Sequence, residues 1–217
     1  LVSIGMTHKL KGHYLDTKHP VIIENLMGIK RTKGSIQRGK KPILINHLKA
    51  IINIINEEKI EEIKKIRDKA IILVGFAGGF RRTELVSIDH EDLEFVTEGV
   101  KITIKRSKTD QFGEGMTKGL PYFANETYCP VSHLKKWIEI SNIKDGAIFR
   151  RFAKGCSLTS SRLTDQSVVL LIKRYLELAG IESKNYSGHS LRSGFATVSA
   201  ESGADERSIM AMTGHKT

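Results

Sequence analysis

Two apolar stripes at helical spacing constrain this fold more than any other feature of the chain. From Ile43 the residues Leu48, Ile51, Ile52 and Ile55 share one helical face, and from Glu61 to about Gly79 a second stripe runs through Ile63, Ile66, Ala70, Leu73 and Val74. Two such helices are expected to pack together, because each hides its stripe only against a partner. After Arg81-Arg82-Thr83-Glu84-Leu85 the pattern changes: Asp92 to Val96, Val100 to Arg106 and Leu120 to Phe123 are short and partly alternating, with Glu98-Gly99 as a turn between the first two. This predicts a small three-stranded antiparallel sheet.

Helical patterning then returns. Pro130 stands near the start of a helix running to about Ser141, and Asp165 to Ala179 carries Val168, Val169, Ile172, Tyr175 and Leu176 on one side before Gly180 ends it. Gly188 to Ser202 and Asp205 to Met212 read as two further helices, separated by Gly203 and followed by a Gly214 cap. The expected fold class is mainly α with a small antiparallel sheet, α+β.

The first 34 residues read differently, as a helix end, a polar loop with Gly12, Asp16 and Pro20, and a helix through Val21, Ile22, Asn25, Leu26 and Ile29, like the tail of a small helical domain. Residues 35–42 hold Arg38, Lys40 and Lys41 with almost no apolar side chains, which predicts an extended basic linker suited to a phosphate backbone. Residues 43–217 then form the main domain. Both ends, Leu1 and Thr217, look cut.

Charge narrows the range of functions. Thirty-five Lys and Arg against 24 Asp and Glu leave a formal charge of +11, which attracts polyanions, nucleic acid first among them. No apolar run has the roughly 20 residues a bilayer span needs, so no membrane role is expected. The two cysteines, Cys129 and Cys156, form no CxxC, and no His cluster has metal-ligand spacing, so neither a disulfide framework nor a metal site is indicated and a reducing cytoplasm is the natural compartment.

Three stretches carry potential chemistry: Gly79-Phe80-Arg81-Arg82-Thr83-Glu84-Leu85, Gly188-His189-Ser190-Leu191-Arg192-Ser193-Gly194 and Thr213-Gly214-His215-Lys216-Thr217. Singly each has an ordinary explanation, such as a solvated arginine at a helix start or a histidine in a glycine turn. Together they read as a pocket of donors, since His189 and Arg192 are three apart on one helix face while Arg81 and His215 flank other helices. Two guanidiniums and two imidazoles surround a phosphate without help from carboxylates or metal.

In this order, Arg81 with Glu84, Lys108, His189 with Arg192, and His215, the chain resembles the tyrosine recombinases of the phage-integrase family. Type IB topoisomerases use similar groups, but the surrounding Gly-Phe-Arg-Arg-Thr-Glu-Leu and Gly-His-Ser-Leu-Arg-Ser-Gly-Phe-Ala-Thr look like integrases. The resemblance implies the DNA breaking-rejoining fold over 43–217 and the end of a helical core-binding, SAM-like domain over 1–34. It implies that Arg81 and Arg192 clamp the scissile phosphate and His215 donates to it. It further implies that His189 helps deprotonate an attacking tyrosine and Lys108, in the loop from Lys105 to Asp110, protonates the departing 5′ oxygen. Lys105 and Lys118 are alternatives for that lysine. Glu84 matches the supporting acidic position, though a first-turn glutamate favouring the helix dipole explains it as simply.

The implied reaction is site-specific recombination by two transesterifications through a 3′-phosphotyrosine, needing no cofactor, with four protomers on two duplexes. The family's nucleophile follows the position of His215, where this sequence stops. Tyr14, Tyr122, Tyr128, Tyr175 and Tyr186 match no nucleophile position, so the 217 residues alone are expected not to cleave DNA. DNA contact is expected from Arg38, Lys40 and Lys41, from Arg82, from the helix carrying Lys173 and Arg174, and from Arg150, Arg151 and Arg162, with ordinary solvated faces as the equal alternative. A duplex-binding remnant or accessory protein of the same ancestry is the main rival. An RNA-binding protein is the weaker one, because aromatics are only 6% of the chain and Phe80, Phe95, Phe149 and Trp137 are expected to be buried.

Overall fold

The computed structural model describes residues 1–34, 39–105 and 115–214, so Arg38, Lys108 and His215 lie outside the described residues. The chain divides into two compact units, 1–39 and 40–217. The first holds α1 (Val2–Leu10) and α2 (Pro20–Lys33). Proline at N1 and a bond from the Val21 amide to His19 Nδ1 at 3.3 Å start α2. Neither helix contains a buried residue.

The second unit is built around α3 (Ile45–Glu57) and α4 (Glu62–Ala77). On α3 the expected face is buried: Leu48, Ile51, Ile52 and Ile55. On α4 the expectation of one stripe is too narrow, because every residue from Ala70 to Phe76 is buried. A helix that is apolar all round belongs in the middle of a core, and the uninterrupted run Ile71-Ile72-Leu73-Val74 is the sequence signal for it. Each fully buried isoleucine there contributes about 2 kcal/mol of hydrophobic stabilisation.

After α5 (Arg82–Ser87) come β1 (Leu93–Val96), β2 (Gly99–Ile104) and β3 (Met116–Pro121), antiparallel in that order. The third strand begins four residues before the expected Leu120. Its register pairs Ile102 with Lys118 and Val100 with Leu120, so Lys118 shares the inward phase of Leu120. Phe95 corrects another expectation: at the sheet edge it is 37% exposed, with Lys135 Nζ 5.1 Å from its ring centroid. Phe80, Phe149 and Trp137 are buried as expected.

The helices α6 (Pro130–Ser141), α7 (Asp165–Leu178), α8 (Ser190–Glu201) and α9 (Glu206–Thr213) complete the unit. Between α6 and α7 lies an unexpected hairpin, β4 (Arg150–Phe152) paired with β5 (Leu158–Arg162). Strands this short carry too little alternation to be legible in sequence. Helix α8 approaches the extended segment before α3 closely: the Ile43 amide donates to Ser190 O at 2.9 Å, and a Cβ on Gly194 would lie 2.0 Å from Ile43 O. Only glycine allows that approach.

Among the described residues no helix is long and apolar enough to cross a membrane.

Candidate active site

The site is assembled at the end of α4. Gly78 and Gly79 turn the chain, Gly79 with φ +53°, in the left-handed region that glycine adopts without strain. The turn exposes two carbonyls at the negative end of the helix dipole, and two cationic side chains from distant elements meet them. Arg192 Nη1, from α8, donates to Gly79 O at 2.9 Å, and Lys118 Nζ, from β3, donates to Gly78 O at 2.9 Å.

Two residues after the turn, Arg81 is the N-cap of α5 and Glu84 stands in its first turn. Glu84 Oε2 accepts the Arg81 amide at 3.0 Å, and its Oε1 pairs with Arg81 Nη1 at 2.5 Å. The carboxylate therefore caps the helix and fixes the guanidinium at once. Arg81 Nη2 also donates to Gly214 O, 3.4 Å away, which brings the cap of α9 to the site; His215 is the next residue.

Arg192 is 6% exposed, and its Nη2 is buried without a hydrogen-bond partner among the described residues. A buried guanidinium donor left unpaired is costly, and such a group in a native fold calls for a missing acceptor. Burial and then the neighbouring Arg81 lower the pKa of Arg192, against the pull of Glu84, to about 10. Two like charges held close together in a half-dry site are stabilised by an anion between them.

His189 is exposed at the N-cap of α8 rather than inside the helix, one turn before Arg192. Its amide donates to Ser187 Oγ at 3.2 Å. The structure thus brings Arg81, Glu84 and Arg192 together, with His189 at the start of the helix that delivers Arg192.

The expected DNA-contact residues are distributed more widely. Lys40 Nζ donates to Lys184 O at 2.6 Å, and the Lys41 amide to Asn185 O at 2.7 Å. Arg82 Nε lies 3.0 Å from Asp165 Oδ2. On α7, Arg174 pairs with Glu58 and Lys173 is half-buried. Arg162 is occupied internally: its Nη1 donates to Val86 O at 2.6 Å and its Nη2 to Asp89 at 2.5 Å, covering carbonyls at the end of α5. Arg150 is similarly engaged, through Nε to Ala147 O at 2.8 Å.

Residues 43–217 match the model of the phage integrase family. The chain belongs to the phage integrase family. It is 42% identical over 205 residues to an integrase/recombinase XerD homolog of Selenomonas ruminantium, covering 94% of this chain and 59% of that protein. It is 30% identical to tyrosine recombinase XerC of a Roseiflexus species, covering 70% of this chain and 45% of that one. The chain thus spans about half the length of the curated relatives it matches.

Among solved structures, XerH recombinase bound to its difH substrate superposes with a TM-score of 0.66 at 19% identity, over 84% of this chain and 49% of that one. XerA recombinase gives 0.61 at 18% identity over 100% and 73%. Both share the fold of this phage-integrase chain.

The residue that sequence reasoning undervalued is Lys118, considered only as an alternative loop lysine. It is fully buried on β3, directly beneath the site. The in-phase series Met116, Lys118, Leu120 was the available signal.

Proposed function

We propose that the protein is a tyrosine-type site-specific recombinase and that this chain supplies its phosphate-binding machinery. The observation that carries the reading is the buried Nη2 of Arg192, beside Arg81 and without a partner among the described residues. A protein that only bound duplex DNA would meet phosphates with solvated side chains and would not need a desolvated donor in waiting.

In the proposed reaction a tyrosine oxygen attacks the scissile phosphorus, the bond to the 5′ oxygen breaks, and a 3′-phosphotyrosine forms; a 5′ hydroxyl of another strand then attacks that bond and frees the tyrosine. Arg81 and Arg192 hold the non-bridging oxygens and stabilise the charge that grows on them, while Glu84 keeps Arg81 in place. His189 takes the tyrosine proton, His215 donates to the phosphate and Lys108 protonates the leaving 5′ oxygen. No cofactor enters.

The attacking tyrosine is taken to lie outside these 217 residues. Tyr175 is fully buried, donates to Asp68 Oδ2 at 2.7 Å, and has its pKa driven up by burial and by Asp68. Tyr186 is 4% exposed and likewise raised by burial. Neither is suited to nucleophilic attack.

Double-stranded DNA is the proposed partner, in keeping with the +11 charge and with relatives described as DNA complexes, among them XerH on difH and lambda integrase on a COC′ core site. Arg38, Lys40, Lys41, Arg82 and Lys173 are the proposed backbone contacts, residues 1–34 the end of a core-binding domain, and four protomers on two duplexes the working assembly in the cytoplasm.

The test is Arg192→Ala in the full-length protein, read as single-turnover cleavage and as duplex binding. Cleavage is expected to fall by about 1000-fold while most binding remains. An unsubstituted full-length protein that binds duplex DNA without cleaving it would overturn the reading in favour of a DNA-binding role alone.

A further inference from the structure

Lys118 is 0% exposed, which is unusual for a residue whose ammonium is expensive to take out of water. A methionine or leucine would fill the same space on the inner face of β3 without that cost. Nor does Glu84 depend on Lys118 for a counter-charge, because Arg81 already pairs with it at 2.5 Å. The partners of Lys118 explain its retention better than packing does. Its Nζ lies 2.9 Å from Gly78 O, 3.5 Å from Gly79 O and 3.7 Å from Glu84 Oε2, over the ring of Phe80 at 4.3 Å. Two of these partners each hold one arginine of the site: Gly79 O receives Arg192, and Glu84 receives Arg81.

We propose that Lys118 is a positioning residue that ties the carbonyl holding Arg192 to the carboxylate holding Arg81, so that the two guanidiniums meet one phosphate as a unit. The inference rests on the reading of Arg81 and Arg192 as a phosphate site.

Among the described residues, the charged groups facing Lys118 are Glu84 from α5, Arg81 from the turn before it and Arg192 from α8. Burial lowers the pKa of Lys118, Glu84 opposes the shift, and Arg192 and Arg81 push it further down, to about 8. A dianion seated between the arginines offsets their repulsion of the ammonium. Anion binding and protonation of Lys118 therefore favour one another, reciprocally and by the same factor.

The probe is inorganic sulfate, a tetrahedral dianion whose charge is constant above neutral pH. The 13Cε resonance of Lys118 is titrated in the unsubstituted chain with and without saturating sulfate, and sulfate affinity is measured across the same pH range. The midpoint is expected to rise by about one unit in sulfate, matched by a loss of about tenfold in sulfate affinity as pH climbs from about 7 to about 10. In Lys118→Met, affinity at neutral pH is expected to be about tenfold weaker and flat from about pH 7 to about pH 9, below the range in which Arg192 titrates. Should that variant not fold, the two midpoints of the unsubstituted chain decide the matter.

An unchanged midpoint, with sulfate binding abolished by Arg192→Ala, would overturn the role of Lys118 and leave the phosphate site standing. Sulfate affinity unaffected by Arg192→Ala would instead overturn the phosphate site itself, and this inference with it.

Discussion

Glu84 grips Arg81 at both ends, its Oε2 on the backbone amide at 3.0 Å and its Oε1 on the guanidinium at 2.5 Å. The same carboxylate, only 2% exposed, stands opposite the buried ammonium of Lys118. Helix initiation and charge balance under the site therefore depend on one side chain.

Glu84→Ala leaves a helix start uncapped and two cations without their carboxylate, so it is expected to cost about 3 kcal/mol or more. Glu84→Gln keeps an acceptor for the amide and is expected to lose less. Urea unfolding midpoints at neutral pH compare the two, and equal losses would show that the cap contributes nothing.

Gly194→Ala reverses the usual sign of a glycine substitution in a helix. Alanine there ordinarily stabilises by about 1 kcal/mol, but here its Cβ would sit 2.0 Å from Ile43 O. Separating α8 from the segment before α3 is expected to cost about 3 kcal/mol net. Thermal unfolding measures the sign directly; a gain in stability would mean that the approach of α8 to Ile43 is loose.

Lys118 gives stability a distinctive pH dependence. Its pKa is about 8 in the folded protein against an ordinary value of 10.5, so between these values the unfolded chain binds a proton that the native state has shed. Stability contributed at this position therefore rises with pH across that window and is lowest below it. The stability of the unsubstituted chain relative to Lys118→Met is expected to climb from about pH 8 to about pH 10, measured by denaturant unfolding. A difference that stays constant would contradict the burial of a titrating ammonium.

Arg162 separates structural from DNA-contact arginines. Its guanidinium bonds Val86 O at 2.6 Å and Asp89 at 2.5 Å. Arg162→Ala is expected to lower stability by about 2 kcal/mol while duplex affinity at fixed salt changes by less than about twofold. A large affinity loss with unchanged stability would return Arg162 to the DNA-contact set.

Much of this was legible in the chain. The stripe Leu48, Ile51, Ile52, Ile55 announced α3, Gly180 and Gly214 marked helix ends, and the ordered motifs singled out Arg81, Glu84 and Arg192 before any of them had a position. These are local signals, written in spacing along the backbone or in short runs of residues. The sequence could not say that Phe95 lies at an open edge or that Arg162 serves carbonyls at the end of α5. Nor could it say that Lys118, one of two alternatives for the loop lysine, is the cation beneath the site. Those outcomes depend on which elements meet across the core, and the decisive bonds span 113 residues between Arg192 and Gly79 and 40 between Lys118 and Gly78. A carbonyl at the end of a helix must find a donor, but only the packed fold determines which donor reaches it.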